Sequence, residues 1–427
     1  MSDNKVLGSS EIRIPSSPNE RGDCERTIML FDLSVRGHHP SYIQHLIDYW
    51  CKQMLPGCLQ IVVSSRFPEE HGDVVEFGLT QGKGRVKFTA ITPQEEAALG
   101  ARKSKIKRAL RTFQEWGLFQ RYAKTLKADH CLFMYFDTCQ WPLTLGAQSP
   151  CSFSGIYFRP TFHYPQFAGY APSRKDRLQQ LQEKLFLFAI RRQSRLKTLF
   201  SLDPFAVKHL EKGSRTMKAV HLPDPIQLNS ALDEPVGNIQ DQLAIEPGRR
   251  VFLLFGALTG RKGVPQLLDA IATLDPNLCQ KLCLLLVGES NIAEALEARI
   301  KLICQERPVQ IVRQYEFVAE ETVPAYFQLS DVILAPYQRH VGMSGILLWA
   351  AAAQKPVLSS DYGLMGEIVR RHQLGVTVDS TRPDEIAKGL TYFLTEAGEA
   401  ACDRTKMKAF AKANSADRFA EVIFQNL

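Results

Sequence analysis

Short apolar runs recur along the chain, and most are followed by a loop and a stretch with helical spacing of apolar residues. The runs have the length and composition of buried strands. Those predicted as strands are 27–33, 59–64, 85–91, 130–136, 152–158, 198–202, 218–222, 250–255, 282–287, 310–312, 332–335 and 356–359. Because parallel strands need helical crossovers, this alternation predicts an α/β fold with parallel, doubly wound sheets.

The length of the chain favours two domains. Its 427 residues exceed one ordinary domain and suit two of about 200. Residues 227–250 have little periodicity and contain Pro235, Gly237, Pro247 and Gly248, which predicts an interdomain linker. Two Rossmann-like halves leave a cleft between the carboxyl ends of their strands, where ligands bind.

Composition narrows the class of protein. Hydrophobic residues make up 45% and charged residues 23%, which is ordinary for a globular protein with real cores. No apolar run is long enough to cross a bilayer, and residues 1–25 are polar, typical of a mobile tail. The ten cysteines include no CxxC pair, so we expect a reducing, cytoplasmic setting without disulfides or a zinc site.

The net charge of +7 is concentrated in residues 102–127, where Glu115 is the one acidic residue. The apolar residues interleaved with the basic ones are Ile106, Leu110, Phe113, Trp116, Leu118 and Phe119. A basic amphipathic helix of this kind can lie on an anionic membrane surface, peripheral to the inner face. It can equally be the solvated face of a helix packed on a sheet. No stacking motif or recognition helix is present, so we expect no nucleic-acid partner.

The loop 337–345 is the first candidate for chemistry. It joins a predicted strand to a predicted helix and contains Gly342, Ser344 and Gly345, with Arg339 and His340 beside them. Backbone N–H groups at a helix N-terminus bind phosphate without a cationic side chain. The same pattern also fits an ordinary strand–loop–helix crossover. Glycine-containing loops after the first strand of each half, at Gly37 and at 256–263, are expected at the same cleft.

Several segments resemble a known family. Residues 255–271 (FGALTGRKGVPQLLDAI) are similar to its G…KG…LL.A segment, and Gly288 to its strand-end glycine. Residues 336–357 match its most distinctive block, and 363–369 (GLMGEIV) resemble its GG.PE.V turn. The family is that of the GT-B-fold retaining glycosyltransferases, group 1, family four.

The resemblance implies two Rossmann-like domains facing across a cleft and metal-independent transfer of a sugar from a nucleotide sugar, with retention. No cofactor is expected, and UDP- and GDP-sugars both remain possible donors. The acceptor can be a carbohydrate, a lipid or a small metabolite. The expected division is a tail (1–25), an acceptor domain (26–226), a nucleotide-sugar domain (227–405) and a C-terminal helix returning to the first domain (406–427).

The resemblance also implies roles for particular residues. Lys262 and Arg261 would neutralise the donor diphosphate, and Ser344 and Gly345 would donate hydrogen bonds to it. His38 or His39 would bind the sugar or the acceptor hydroxyl. The other residues expected at the donor are Gly37, Gly288, His340, Gly342 and Glu367. Asp137 is expected either to contact the acceptor or to cap the turn after its strand.

The chain departs from the family at two positions. Two glutamates eight positions apart, one for the donor sugar and one for the ribose, correspond here to Val341 and Trp349. This departure motivates an alternative, a catalytically silent GT-B-fold binding or scaffold protein. A nucleotide-sugar epimerase is a third hypothesis, but this chain lacks the paired carboxylates that proton abstraction at carbon would require.

Overall fold

Two separate parallel sheets organise the chain in the computed structural model, which describes residues 25–100, 104–167, 170–214, 216–226, 237–395 and 400–427. The first sheet has seven strands in the order β3-β2-β1-β4-β5-β6-β7. They are β1 Thr27–Asp32, β2 Cys58–Val63, β3 Val86–Ala90, β4 His130–Phe133, β5 Ser152–Tyr157, β6 Leu196–Ser201 and β7 Lys218–His221.

The second sheet has six strands in the order β10-β9-β8-β11-β12-β13, and its strands also pair in parallel. They are β8 Arg250–Phe255, β9 Leu282–Val287, β10 Gln310–Gln314, β11 Val332–Ala335, β12 Val357–Ser360 and β13 Gly375–Val378. In each sheet the strand order reverses beside its first strand, between β1 and β4 and between β8 and β11. Ligands bind at such switch points, so the loops that follow these four strands are the ones that form a site.

Helices flank both sheets. Around the first are α1 His39–Lys52, α2 Phe67–Glu70, α3 Gly72–Gly82, α4 Pro93–Ala98, α5 Lys105–Thr125, α6 Gln140–Thr144, α7 Arg174–Ile190 and α8 Val207–Glu211. The others are α9 Gly237–Gln242, α10 Val264–Thr273, α11 Pro276–Cys279, α12 Ala293–Glu306, α13 Val323–Leu329, α14 Gly345–Ala352, α15 Gly363–Arg371, α16 Pro383–Leu394, α17 Arg404–Ala413 and α18 Ala416–Phe424.

The predicted elements and fold class are confirmed, with three corrections. Every predicted strand is present, but β13 was missed. The predicted linker 227–250 contains α9, and its first part, 227–236, lies outside the described residues, as do 1–24 of the predicted tail. Cys58 is disulfide-bonded, so the expectation of no disulfide is wrong there. No helix in the described ranges is long and apolar enough to cross a membrane.

A buried tyrosine of the first half of the chain contacts two loops of the second half. Tyr164 is fully buried, and its hydroxyl accepts the backbone N–H of Gly342 at 3.1 Å. Gly363 has a φ of +61°, and a Cβ there would lie 2.8 Å from the Tyr164 ring. The ring therefore fits between two loops of the second half only because one of them has no side chain at the contact.

The end of the chain returns to the first sheet. Ile226 and Ser415 form an isolated parallel bridge, and α18 packs against α1. The rings of Phe419 and Tyr42 lie 4.8 Å apart in this contact. The second half is thus tied to the first both through Tyr164 and through the last helix.

The Tyr164 hydroxyl is expected to stabilise the fold. Tyr164→Phe leaves the buried Gly342 N–H without its acceptor, which should lower the free energy of unfolding by about 1–3 kcal/mol. The matched control is Tyr157→Phe, because Tyr157 is equally buried but its hydroxyl has no hydrogen-bond partner within the described part of the chain. That variant should be neutral or stabilising. Thermal unfolding of the two variants tests this, and equal losses would contradict the role of the hydroxyl.

Candidate active site

Two adjoining cavities occupy the cleft between the halves of the chain. One has a volume of about 520 Å³, and the other of about 580 Å³. Each cavity is lined by residues from the two halves of the chain. Six residues line the two cavities in common: His38, Arg159, His340, Val341, Met343 and Gly345. The cavities therefore form one continuous candidate site with two compartments.

The two compartments differ in chemistry. The first, the apolar compartment, is lined on the side of the second half by Phe255, Phe317, Val318, Val323, Val341 and Trp349. The second, the cationic compartment, is lined by Arg159, Arg261 and Arg339. Val341 and Trp349, which occupy the positions of the two missing glutamates, thus lie in the apolar compartment.

A buried hydrogen-bonded cluster lies at the cationic compartment. The ammonium of Lys262 is buried; it donates to the carbonyl of Phe255 and to the Tyr337 hydroxyl, the latter at 2.6 Å. Ser344 Oγ donates to the same hydroxyl at 3.1 Å. A single hydroxyl group therefore links Lys262 to Ser344, the N-cap residue of α14. The structure brings together the two parts of the chain from which a phosphate site was predicted.

Burial and charge act in opposite directions on the pKa of Tyr337. Burial alone would raise it, but the adjacent Lys262 charge and hydrogen bond, the Ser344 hydrogen bond and the Arg261 charge lower it. The net shift is downward, which is unusual for a fully enclosed phenol. The direction agrees with the two positive charges beside the hydroxyl, those of Lys262 and Arg261.

A tight turn holds Lys262 in place. Residues Gly260–Lys262 form one turn of 3-10 helix that ends at Gly263, with a φ of +76°. A Cβ at Gly263 would lie 2.1 Å from the carbonyl oxygen of Pro336, so the turn approaches β11 more closely than any other residue would allow. This approach puts Lys262 beside Tyr337, two positions after the end of β11.

Arg261 and His340 form the exposed side of the cluster. Arg261 Nη1 donates to His340 Nδ1 at 3.1 Å, and His340 Nε2 donates to the Met343 carbonyl at 3.3 Å. These bonds require a neutral imidazole. Desolvation, followed by the charge of Arg261, lowers the pKa of His340 to about 4. His340 is therefore neutral at physiological pH, and the charge at this side comes from the arginine.

Gly342 does not contribute its amide to the cavity. Its φ is +98°, and its N–H is donated to Tyr164 instead. The N–H that the sequence analysis assigned to an anion is therefore bonded to the other half of the chain, while Gly342 itself lines the apolar compartment. Ser344 and Gly345 differ: Ser344 makes no side-chain cap bond to α14, and both residues line the cationic compartment.

The loop after β1 carries two histidines whose side chains have different surroundings. His39 is buried, and its Nδ1 donates to Asp32 at 2.6 Å, which fixes the orientation of the ring. His38 lines both compartments and stacks on Phe158, with ring centroids 5.0 Å apart. Desolvation, the charge of His39 and then Arg159 lower the pKa of His38. Gly37, with a φ of +75°, lines the apolar compartment.

Five predicted site residues line neither compartment: the buried His39 and Lys262, and three others, Asp137, Glu367 and Gly288. Asp137 accepts the N–H of Phe158 at 2.9 Å, and burial raises its pKa to about 6. Glu367 pairs with Arg371 at 2.5 Å and Arg370 at 3.2 Å on its own helix. Gly288 packs behind the site, where a Cβ would lie 2.6 Å from the Gly256 carbonyl oxygen. The structure gives each of the three a local structural contact.

The residues that sequence analysis missed are Asp32, Arg159, Tyr164 and Tyr337. Asp32 and Tyr337 lie at or just after the ends of the central strands β1 and β11, and Arg159 follows β5. The rule that strand ends face the cleft could have selected all three. No local signal marks Tyr164. The described residues contain no cluster of His, Cys, Asp and Glu suited to a metal ion.

The Tyr337 hydroxyl is expected to be energetically coupled to Lys262. Tyr337→Phe removes an acceptor from a buried ammonium and should lower the free energy of unfolding by about 1–3 kcal/mol. The double variant Tyr337→Phe/Lys262→Met should lower the free energy of unfolding by less than the sum of the two single variants. The difference, which is the coupling energy, should be about 0.5–3 kcal/mol. Denaturant unfolding of the four proteins measures it. Tyr326→Phe, which removes a hydroxyl bound to the neutral Gln314, is the matched control. Strict additivity would contradict the coupling.

The comparisons with known proteins agree with this architecture. Residues 236–414 match the family model described as glycosyl transferases group 1. An uncharacterized glycosyltransferase of Methanocaldococcus jannaschii is 25% identical over 177 residues, which are 41% of this chain and 43% of the relative. The match thus spans less than half the length of that relative.

Solved structures match nearly the whole chain. Sucrose-phosphate synthase of Thermosynechococcus elongatus aligns with a TM-score of 0.64 at 16% identity, covering 94% of this chain and 98% of its own. Anabaena HepE in complex with UDP aligns with a TM-score of 0.63 at 14% identity, covering 93% and 98%. At these identities the likeness is one of fold. Residues 236–414 are thus similar to glycosyl transferases group 1, and the chain as a whole has the GT-B fold.

Proposed function

We propose that the protein is a retaining glycosyltransferase that moves a sugar from a nucleotide-sugar donor to an acceptor without a metal ion. The observation that carries this proposal is the cluster of Lys262, Tyr337 and Ser344 at the cationic compartment. It combines a fixed positive charge, a helix N-terminus and the exposed guanidinium of Arg261 in one place. A diphosphate is the group that such an arrangement binds.

The chemistry asked of the site is stabilisation of a leaving group. When the bond between the sugar and the diphosphate breaks, negative charge grows on the phosphate oxygen. Arg261, Arg159 and the first N–H groups of α14 can donate to that oxygen, while Lys262 holds positive charge behind them. Retention follows from the family resemblance and requires the acceptor hydroxyl to attack the face that the leaving group vacates.

The histidines of the first loop are proposed to bind the sugar or the acceptor hydroxyl. The bond to Asp32 occupies His39 Nδ1, so Nε2 is the ring nitrogen proposed to face the hydroxyl group. His38, neutral because its pKa is lowered, lines both compartments and can contact a sugar between them. Asp32 acts here as a positioning residue, since its carboxylate fixes the ring of His39.

Donor recognition is proposed to differ from the family pattern. Neither Val341 nor Trp349 can hydrogen-bond the sugar or the ribose as a carboxylate does. Aromatic side chains of the apolar compartment, Trp349 and Phe317 among them, offer stacking surfaces instead. The UDP bound to the Anabaena protein makes UDP-sugars the first donors to test.

The proposal is tested by nucleotide binding and by transfer. A matching nucleoside diphosphate should raise the melting temperature, since ligand at 100 times Kd stabilises by about 2.7 kcal/mol. Arg261→Ala should reduce kcat/KM for transfer by about 10²–10³-fold, because it removes one donor to the developing charge. Arg418→Ala is the matched control: its guanidinium is half-exposed, pairs with Glu421 and lines neither compartment.

Two results would contradict the proposal. The first is the absence of any thermal shift with millimolar UDP, GDP and ADP or their sugars. The second is nucleotide binding without transfer to any acceptor in a broad panel of carbohydrates, lipids and small metabolites, which is the behaviour of the silent binding protein. Loss of activity in the Arg418 variant as well would mean that Arg261 has no special role.

A further inference from the structure

Exposed large apolar side chains are concentrated on three helices of the first half. They are Ile106, Leu110 and Phe113 on α5, Trp141 and Leu145 on or next to α6, and Leu178, Leu181, Leu185 and Phe188 on α7. Elsewhere in the described part of the chain only Met54, Leu79, Leu302 and Phe317 are comparably exposed. Single exposed apolar residues are normal, but a concentration of this kind marks an interaction surface.

The α7 helix has apolar residues on two opposite sides. Phe186, Leu187 and Ile190 are buried in the core of the first half. Leu178, Leu181, Leu185 and Phe188 recur at helical spacing on the outer side, and each is 55–58% exposed. A helix on the surface of a soluble monomer carries polar residues at such positions. The outer stripe of α7 is therefore suited to contact with something apolar.

The three helices present one continuous face. Their inner sides share a single core cluster, to which Trp116 of α5, Leu143 of α6 and Phe186 of α7 belong. The helix α6 packs against both α5 and α7. Because the inner sides are neighbours over the same sheet, the outer sides are neighbours as well. We name this surface, with the nine side chains given above, the α5–α7 face.

The free charges around this face are positive. The exposed charged residues of α7 are Arg174, Lys175, Arg177 and Lys184. Its acids are engaged: Asp176 belongs to the capping box with Ser173, and Glu183 is buried and accepts the Thr161 hydroxyl at 2.7 Å.

On α5, too, basic residues are exposed while the acidic residue has a partner within the protein. Lys107, Arg108 and Lys124 are exposed. The one acid in its described residues, Glu115, is buried and pairs with Arg111 at 2.6 Å. The face is thus apolar in its stripe, cationic at its borders, and without a free carboxylate on these two helices.

We propose that the α5–α7 face docks on the surface of an anionic lipid bilayer. The leucines and Phe188 would enter the boundary between head groups and acyl chains, and the lysines and arginines would contact lipid phosphates. The stripe of α7 from Leu178 to Phe188 is about 15 Å long, enough to lie in the plane of the interface. This extends the membrane hypothesis for residues 102–127, of which 102–103 lie outside the described residues.

A second copy of the chain fits this face less well than a bilayer. Two copies would bring the same lysines and arginines together, with no free acid on α5 or α7 to pair with them. A nucleic acid would match the charges but leave the leucines without apolar contact. Of these three occupants only an anionic bilayer satisfies both features, and the inference does not depend on the proposed sugar transfer.

The face is adjacent to the cleft. Gln179, beside Leu178 on α7, lines the cationic compartment. Asp176 of the same helix lies 3.7 Å from Arg339, in the loop that leads to α14. A bilayer bound to α7 would therefore lie near the entrance of the candidate site.

Vesicle co-sedimentation of the full chain tests the proposal. The chain should bind vesicles of equimolar phosphatidylcholine and phosphatidylglycerol at low salt, and the bound fraction should fall as the salt concentration rises. It should not bind vesicles of pure phosphatidylcholine. The double variant Leu181→Ser and Leu185→Ser should reduce the bound fraction at least tenfold. The control Leu302→Ser changes a side chain that is 61% exposed on α12 of the second half, and it should bind like the unaltered chain.

Two results would support the proposal, and three would overturn it. Selective loss of binding in the α7 variant, with its melting temperature unchanged, supports the proposal, as does loss on charge reversal at Lys175→Glu and Lys184→Glu. Equal loss in the Leu302 variant, or equal binding to both vesicle types, overturns it. Self-association without vesicles that disappears in the α7 variant, together with no vesicle binding, would assign the face to a second copy and also overturn it.

Discussion

The structure of the cleft depends on one buried cation. The ammonium of Lys262 is enclosed by protein, and its bonds to the Phe255 carbonyl and the Tyr337 hydroxyl are bonds to neutral acceptors. Burying a charge in this way costs free energy that neutral partners offset only in part. An anion in the adjoining compartment would supply the missing compensation. Under the proposed function, the donor diphosphate would be that anion.

The position of the loop beside that cation depends on contacts between the two halves. The loop that carries Ser344 follows Gly342, whose amide is donated to Tyr164 of the other half. Arg159, also from the first half, lines both compartments beside His340. The cationic compartment is therefore not built by one half of the chain alone.

The sequence predicted the fold more fully than the site, for physical reasons. Runs such as Leu282–Val287 are buried on both faces, so their composition alone identifies them as strands. The missed strand, Gly375–Val378, is short and mostly half-buried, and it forms by pairing with β12. Strand ends indicate which loops meet, but not which way a side chain points. Asp137 follows a cleft-facing strand, yet its carboxylate turns to the Phe158 amide, a partner that no local pattern identifies.

The same reasoning explains how the site tolerates the loss of two glutamates. With valine and tryptophan at those positions, no acidic side chain lines the described cationic compartment, and Asp224 is the one acid lining the apolar compartment. Asp224 accepts the Tyr42 hydroxyl, and burial raises its pKa to about 6. Of the three arginines that line the cationic compartment, Arg339 has a carboxylate nearby, that of Asp176 at 3.7 Å. Under the proposed function, the positive charge of the compartment would attract the diphosphate, and apolar surfaces and backbone would recognise the rest of the donor.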